Sequence, residues 1–173
     1  MAQASETLET AVRGRPGVLG RSDGCSLSGT LEVVGERWTF LILREAMSGV
    51  TRFNDFRDHL GIASNLLTAR LAKLVEYGIM ERHTYQDEGT RARSSYHLTP
   101  VGRELNLVVA AIQQWGNLHL ECRLGPIVAF EDTHGSPVTV QFVDTATGRP
   151  VAPEDIAVRP IGLAGGDSQS DGA

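Results

Sequence analysis

Residues 64–78 read Ser-Asn-Leu-Leu-Thr-Ala-Arg-Leu-Ala-Lys-Leu-Val-Glu-Tyr-Gly, and the spacing inside this stretch decides the fold. Leu67, Leu71 and Leu74 recur at i, i+4 and i+7, the repeat of a helix with one buried face. Ser64 is the expected N-cap, and Gly78 ends the pattern. Turning the helix by about 100° per residue places Asn65, Thr68, Ala69 and Ala72 away from the leucines, with Arg70 and Lys73 on the shoulder. No acid enters that outward face before Glu76 in the last turn. A helix that enters the ~12 Å major groove needs this: little bulk, amides and hydroxyls for base edges, and cations beside them for phosphates. Standing alone, such a helix reads as an ordinary solvated face. Its neighbours change that reading.

Upstream, Leu27, Leu31 and Val34 repeat at helical spacing from Ser26 and stop at Gly35, a C-cap. Trp38, Leu41, Ile42 and Ala46 define a second helix, closed by Ser48-Gly49. An extended piece at 50–52 leads to Phe53, Phe56 and Leu60, a short third helix ending at Gly61. Downstream, the period shifts from 3.6 toward 2. Residues 79–86 and 94–98 flank the basic, turn-forming Asp-Glu-Gly-Thr-Arg-Ala-Arg at 87–93, which predicts a β-hairpin with a long tip. Arg91 and Arg93 in the tip are candidates to enter a minor groove or clamp phosphate. The alternative is a solvated tip balanced by Asp87 and Glu88. Arg52 is a further phosphate candidate, and Arg82 and His83 sit on the first strand.

Thr99 as N-cap and Pro100 at the first helical position open a long helix expected to run over 99–122. Its apolar stripe is Leu105, Val108, Val109, Ile112, Trp115, Leu118 and Cys122. The order helix, helix, short strand, helix, helix, hairpin, helix is that of a winged helix-turn-helix, a mostly α fold with a small β wing (α+β). The stripe is longer than one small domain needs, so Leu105, Val109, Ile112 and Trp115 are expected to pack against a second copy. The chain divides into a flexible arm at 1–24, the winged-helix and dimerisation domain at 25–122, a small β-rich extension at 123–163 and a disordered tail at 164–173. The arm is rich in Gly, Pro and Ser, with at most a short helix near residues 8–12. In the extension, strands are expected at 127–130, 138–143 and 156–158.

A chain of 173 residues suits one ordinary domain with an appendage. No apolar run approaches the roughly 20 residues of a membrane helix, and residues 1–24 lack the apolar core of a signal peptide. A soluble, cytoplasmic protein without a membrane partner is the expectation. The net charge of −5, taken alone, argues against nucleic acid, but its distribution does not. Residues 37–103 carry nine Arg and one Lys against seven acids, whereas 121–173 carry three Arg against eight. Where positive charge sits matters more than the total.

Enzymatic chemistry finds no support. There is no His-Glu-x-x-His, no phosphate loop and no glycine-rich dinucleotide motif, and the five His are scattered without metal-ligand spacing. Cys25 and Cys122 alone make neither a zinc site nor a disulfide framework. The rival to a DNA-binding role is a winged helix that binds protein, a role the acidic C-terminal part would suit. Salt dependence separates the two, since only DNA releases counterions in proportion to phosphates neutralised.

Six segments carry a family resemblance: Cys25-Ser-Leu, LEVVGERWTFLILR at 31–44, Arg52-Phe-Asn-Asp-Phe56, Leu67-Thr-Ala-Arg-Leu71, Tyr77-Gly-Ile-Met-Glu-Arg82 and Tyr96-His-Leu-Thr-Pro-Val-Gly-Arg103. With consistent spacing over about residues 25–120, the chain resembles the HxlR-type, MarR-related bacterial transcription regulators. The resemblance implies a homodimeric winged-helix DNA binder, repressor or activator; two recognition helices in half-sites about one helical turn apart make an imperfectly palindromic operator of double-stranded DNA the expectation. It implies that the 64–77 helix is the recognition helix, 87–94 the wing, and the first and 99–122 helices the dimer interface. Asn65, Thr68, Arg70, Lys73, Arg91, Arg93 and Arg52 are the candidate DNA contacts. Cys25 stands where some members keep a thiol that senses oxidants or electrophiles, and a reactive thiol needs a helix N-terminus or nearby cations. The competing reading of Cys25 is a small apolar group buried at the dimer interface, and Cys122 reads as packing. Many relatives carry a C-terminal extension resembling a zinc ribbon. Here His134-Gly135 and Asp144-Thr-Ala-Thr-Gly-Arg-Pro150 replace its thiolates, so no metal and no cofactor is expected. A small-molecule effector is left open, with Trp38 and Trp115 as either pocket walls or core.

Overall fold

The computed structural model describes residues 25–86, 92–121 and 128–159. The arm, with its expected short helix, lies outside these residues, as do the hairpin tip at 87–91, Cys122 and the expected disordered tail. Helix α1 (Ser26–Val34) is capped by Cys25, whose Sγ accepts the Ser28 amide at 3.4 Å. It buries only Val33 and Val34. Helix α2 (Arg37–Met47) buries Thr39, Ile42 and Leu43, and α3 (Phe53–Leu60) buries Phe56. Gly61 ends α3 at φ 61°, the left-handed conformation that glycine adopts without a Cβ penalty. Helix α4 (Ser64–Glu76) drives Leu67, Leu71 and Leu74 into the core beside them.

Ser64 is not the N-cap of α4. Ala63 holds that place, extended at φ −62°, ψ 137°, and its carbonyl accepts the Leu67 amide at 2.9 Å. Ile62, 3% exposed, anchors the chain immediately upstream, so the first turn closes one residue early and Ser64 enters the helix.

Strands β1 (Met80–Tyr85) and β2 (Arg93–Leu98) pair antiparallel, Met80 opposite Leu98 and Tyr85 opposite Arg93. The extended piece at 50–52 lies along this hairpin: Arg52 bridges to Ser95, and the Tyr96 amide donates to the Thr51 carbonyl at 2.8 Å. Met80 and Tyr96 point into the core, which fastens the wing to the helices.

Thr99 caps the next helix, its hydroxyl accepting the Gly102 amide at 3.0 Å and donating to the Gly78 carbonyl at 2.7 Å. The expected single helix over 99–122 is two. Helix α5 (Pro100–Glu104) gives way at Leu105 (φ −67°, ψ −8°) to α6 (Asn106–His119), and Leu120 is extended. The two pieces serve different neighbours: α5 is pinned to the wing, while α6 crosses α2. At the pin, a Cβ on Gly102 would lie 2.0 Å from the Ile79 carbonyl oxygen.

The break also divides the apolar stripe. Val109, expected at a dimer interface, is 6% exposed and belongs to this chain's own core. Leu105 and Val108 are half-buried. Ile112, Trp115 and Leu118 lie uncovered, as do Leu27 and Leu31 on α1. Trp38 packs against the core, whereas Trp115, 59% exposed, does not.

The extension departs most from expectation. The predicted strands reduce to a bridge between Glu131 and Pro137 and the two-residue pair β3 (Phe142–Val143) and β4 (Pro150–Val151). A 3₁₀ turn covers Pro153–Asp155, and no strand forms at 156–158. Nearly every side chain here is exposed, so no buried face rewards longer pairing. Local polar bonds hold it instead. Asp132 accepts the His134 and Ser136 amides, and Asp144 accepts the Ala146 and Thr147 amides and the Thr147 hydroxyl. That hydroxyl, then the Thr147 and Ala146 amides, hold the Asp144 carboxyl below the usual carboxylate range. Gln114 fastens the extension to α6 by exchanging two 2.9 Å bonds with the Val140 main chain.

Two glycines should respond oppositely to a methyl group. Gly102→Ala collides with backbone that cannot move aside and should cost about 1–3 kcal/mol. Gly116→Ala, inside α6, meets only the Leu120 Cδ1 at 3.8 Å and should gain roughly 0.5–1 kcal/mol of helix propensity. Thermal melts of both variants check the pair; a stable Gly102→Ala would mean that the wing joint is not rigid.

Candidate nucleic-acid interface

The burial of Leu67, Leu71 and Leu74 turns the opposite side of α4 to solvent. Ser64, Asn65, Thr68, Ala69, Ala72 and Glu76 form that exposed stripe. Asn65 makes no side-chain hydrogen bond among the described residues. Thr68 donates its hydroxyl to the Ser64 carbonyl at 2.8 Å, which orients the oxygen and leaves its lone pairs outward.

The shoulder cations are placed differently from the sequence expectation. Arg70 pairs with the Glu36 carboxylate, and Lys73 donates to the Glu32 carbonyl at 2.6 Å. Both side chains are half-buried against the corner between α1 and α2 rather than turned to the exposed stripe. These partners were not singled out in the sequence. The available signal was two acids, Glu32 and Glu36, closing α1 and opening α2 opposite two cations on α4.

At the wing, Arg52 precedes α3 and its guanidinium lies over the Tyr85 ring at 5.2 Å. Arg93, exposed at the start of β2, lines a cleft of about 330 Å³ with Phe53, Asn54, Tyr85, Ser94 and Tyr96. The structure thus brings Arg52 and Arg93 to one end of the hairpin, with Tyr85 as a stacking partner the sequence reading missed. Arg91 lies outside the described residues. Arg82 is held by the Ser94 hydroxyl at 2.8 Å. His97 bonds Ser95 at 3.0 Å and packs against the His83 ring, centroids 4.8 Å apart.

Cys25 is exposed in the single chain. A second cleft, of about 620 Å³, separates α6 from the extension, walled by Leu107, Ala110, Leu118, Phe130 and Val138. Among the described residues no three His, Cys, Asp or Glu converge as a metal would need, and no helix is long and apolar enough to cross a membrane.

Comparison with known proteins agrees with this geometry. The model of the HxlR-like helix-turn-helix family matches residues 33–123. An uncharacterized HTH-type transcriptional regulator of Mycobacterium tuberculosis is 36% identical over 141 residues, covering 81% of this chain and 88% of the relative. The crystal structure of PA1607, a candidate transcription factor, superposes with a TM-score of 0.66 at 36% identity, over 80% of this chain and 96% of that one. The redox regulator HypR in its oxidized form matches at 30% identity and a TM-score of 0.51, over 57% of this chain and 100% of that one. The chain therefore belongs to the HxlR-like helix-turn-helix family, a transcriptional regulator on a winged-helix fold.

Proposed function

We propose that the protein acts as a homodimer that sets two copies of α4 into major-groove half-sites of an imperfectly palindromic operator, as a repressor or effector-responsive switch in the cytoplasm. The observation that carries the reading is the exposed stripe of α4, small and free of acid until Glu76, beside the Arg52 and Arg93 end of the wing. In this reading Asn65 and Thr68 meet base edges, and Arg52, Arg91 and Arg93 meet phosphates. Half-sites then lie about one helical turn apart. The dimer is supported by α1, which leaves Leu27 65% and Leu31 52% exposed, and by Ile112 and Trp115 on α6. A helix so poorly covered by its own chain gains most of its stability from a partner. The cleft between α6 and the extension has room for a small-molecule effector.

A second reading concerns Cys25. It is exposed at the N-terminus of α1 with its sulfur on the Ser28 amide, and HypR is a redox regulator. In this reading the Cys25 thiolate attacks hydrogen peroxide: the sulfur takes one oxygen to form sulfenic acid, the O–O bond breaks, and the departing hydroxide takes a proton from solvent to become water. The change at the cap of α1 alters operator binding.

Three outcomes are expected. Duplexes selected from a random-sequence pool should bind with steep salt dependence in fluorescence anisotropy. Asn65→Ala should cost about 1–3 kcal/mol at one base pair and relax specificity there, whereas Arg91→Ala should weaken all sequences alike. An unchanged ranking of operator variants by Asn65→Ala would remove α4 from base readout, and a shallow salt slope throughout would favour a protein partner. Second, Leu31→Glu or Ile112→Glu should convert the dimer to a folded monomer by sedimentation. A dimer that survives both lies elsewhere. Third, peroxide should shift operator affinity in the native protein and leave Cys25→Ser unmoved; equal responses would end the redox reading.

A further inference from the structure

Three leucines place α4 against the core and decide which face it turns to solvent. Directional bonds from its flank can hold the finer angle at which that face is presented. Two leave α4 on one side, from residues three apart, and both end on the short corner between α1 and α2. Lys73 donates to the Glu32 carbonyl at 2.6 Å. Glu32 is in the last turn of α1, where carbonyls lack partners within the helix and a cation is favoured by the helix dipole. Arg70 pairs with the carboxylate of Glu36, the residue that precedes α2 and makes no side-chain cap bond to its own helix. The Arg70 side chain is only 21% exposed, and its Nε is buried without a hydrogen-bond partner among the described residues. A guanidinium in that position is committed to Glu36. Reaching a phosphate would first require breaking the pair.

We infer that Arg70 and Lys73 are positioning residues: they fix the rotation of α4 on the α1–α2 corner and do not contact DNA. The inference rests on the reading of α4 as the DNA-reading helix and assigns a different role to two of its expected contacts. It also supplies a physical link. Helix α1 carries the uncovered Leu27 and Leu31 and the cap at Cys25; its last turn is joined to α4 by the Lys73 bond, and Arg70 holds Glu36, two residues past its end. A displacement of α1, by a partner copy or by modification at its cap, is delivered to the outward face of α4.

The test uses the full-length protein and the selected duplex, with affinity measured across a salt series. A phosphate contact removed lowers the salt slope by about 1. Arg70→Ala and Lys73→Met should weaken operator binding roughly five- to thirtyfold with the slope unchanged, while Arg93→Ala lowers the slope. Glu36→Gln is the sharper probe. Removing an acid normally strengthens binding to a polyanion, and freeing a DNA-contacting Arg70 would add to that gain. As the anchor of a positioning residue, Glu36→Gln should instead weaken operator binding, and the exchange Arg70→Glu with Glu36→Arg should recover part of the loss. A lowered slope in Arg70→Ala, or tighter binding by Glu36→Gln, overturns the inference and leaves the α4 reading standing. Failure of the native protein to select any duplex overturns both. Melting curves of each variant exclude unfolding as the cause of lost affinity.

Discussion

Burial of Leu67, Leu71 and Leu74 on one side of α4 is the constraint on which the rest of the molecule depends. Each is sealed from water among Ile42, Leu43, Phe56 and Ile62. A leucine fully buried is worth about 1.5–3 kcal/mol relative to exposure, so exposing the three together would cost a large share of a small domain's stability. The helix therefore cannot turn its small, polar stripe inward. Because side chains on a helix are locked in angular order, fixing the leucines also places Asn65, Thr68, Ala69 and Ala72 in solvent. The surface that gives the domain its proposed activity is in this sense a by-product of its core.

A second joint sets where the remaining elements can go. Thr99 binds its own helix through the Gly102 amide and the end of α4 through the Gly78 carbonyl, while Gly102 lets α5 approach Ile79 more closely than any side chain would permit. The wing, the end of α4 and the start of α5 are thus clamped at one point. Helix α6 cannot continue the direction of α5 and still cross α2, so the chain breaks at Leu105. From there α6 has three sides: Val109 in the core, Gln113 and Gln114 toward the extension, and Ile112 and Trp115 free. One helix serves three surfaces because the break lets it rotate independently of its cap.

Features set by local chemistry were legible before the structure. The stop of α3 at Gly61, the Thr99-Pro100 start and the leucine repeat of α4 each depend on a few consecutive residues, and each is where the sequence places it. What was not legible depends on distant partners. Ser64 has the chemistry of a cap, but Ile62 is anchored from outside the helix and moves the start to Ala63. A continuous apolar stripe gives no hint that Val109 will face inward while Ile112 faces out, because the break at Leu105 follows from contacts with the wing. In the extension, strands were expected at 127–130, 138–143 and 156–158, yet pairing needs a buried face, and the described residues there have almost none. Arg70 and Lys73 show the same limit: their angular position was right, but their partners stand more than thirty residues earlier, at Glu36 and Glu32.

That last point alters how the charge of the domain should be counted. Residues 37–103 hold nine Arg and one Lys, but a cation paired within the fold offers little to a distant anion. Arg44 is held by Glu45, Arg57 by Asp58, Arg70 by Glu36, Lys73 by Glu32 and Arg103 by the Leu98 carbonyl. Arg82 is engaged by Ser94, and Arg37 lies over the Trp38 ring. Among the described residues neither Arg93 nor Arg52, which lies over the Tyr85 ring, has an acid partner. The wing therefore presents cations without an acid partner there, while Arg70 on α4 is paired with one. In the proposed reading, phosphate attraction, which is long-ranged and indifferent to sequence, falls to the hairpin, while the exposed face of α4 carries base discrimination. The acidic extension does not conflict with this division, because it is fastened to α6 through Gln113 and Gln114, so its acids and the wing's cations sit on different elements. The net charge of −5 and a nucleic-acid partner are compatible for that reason.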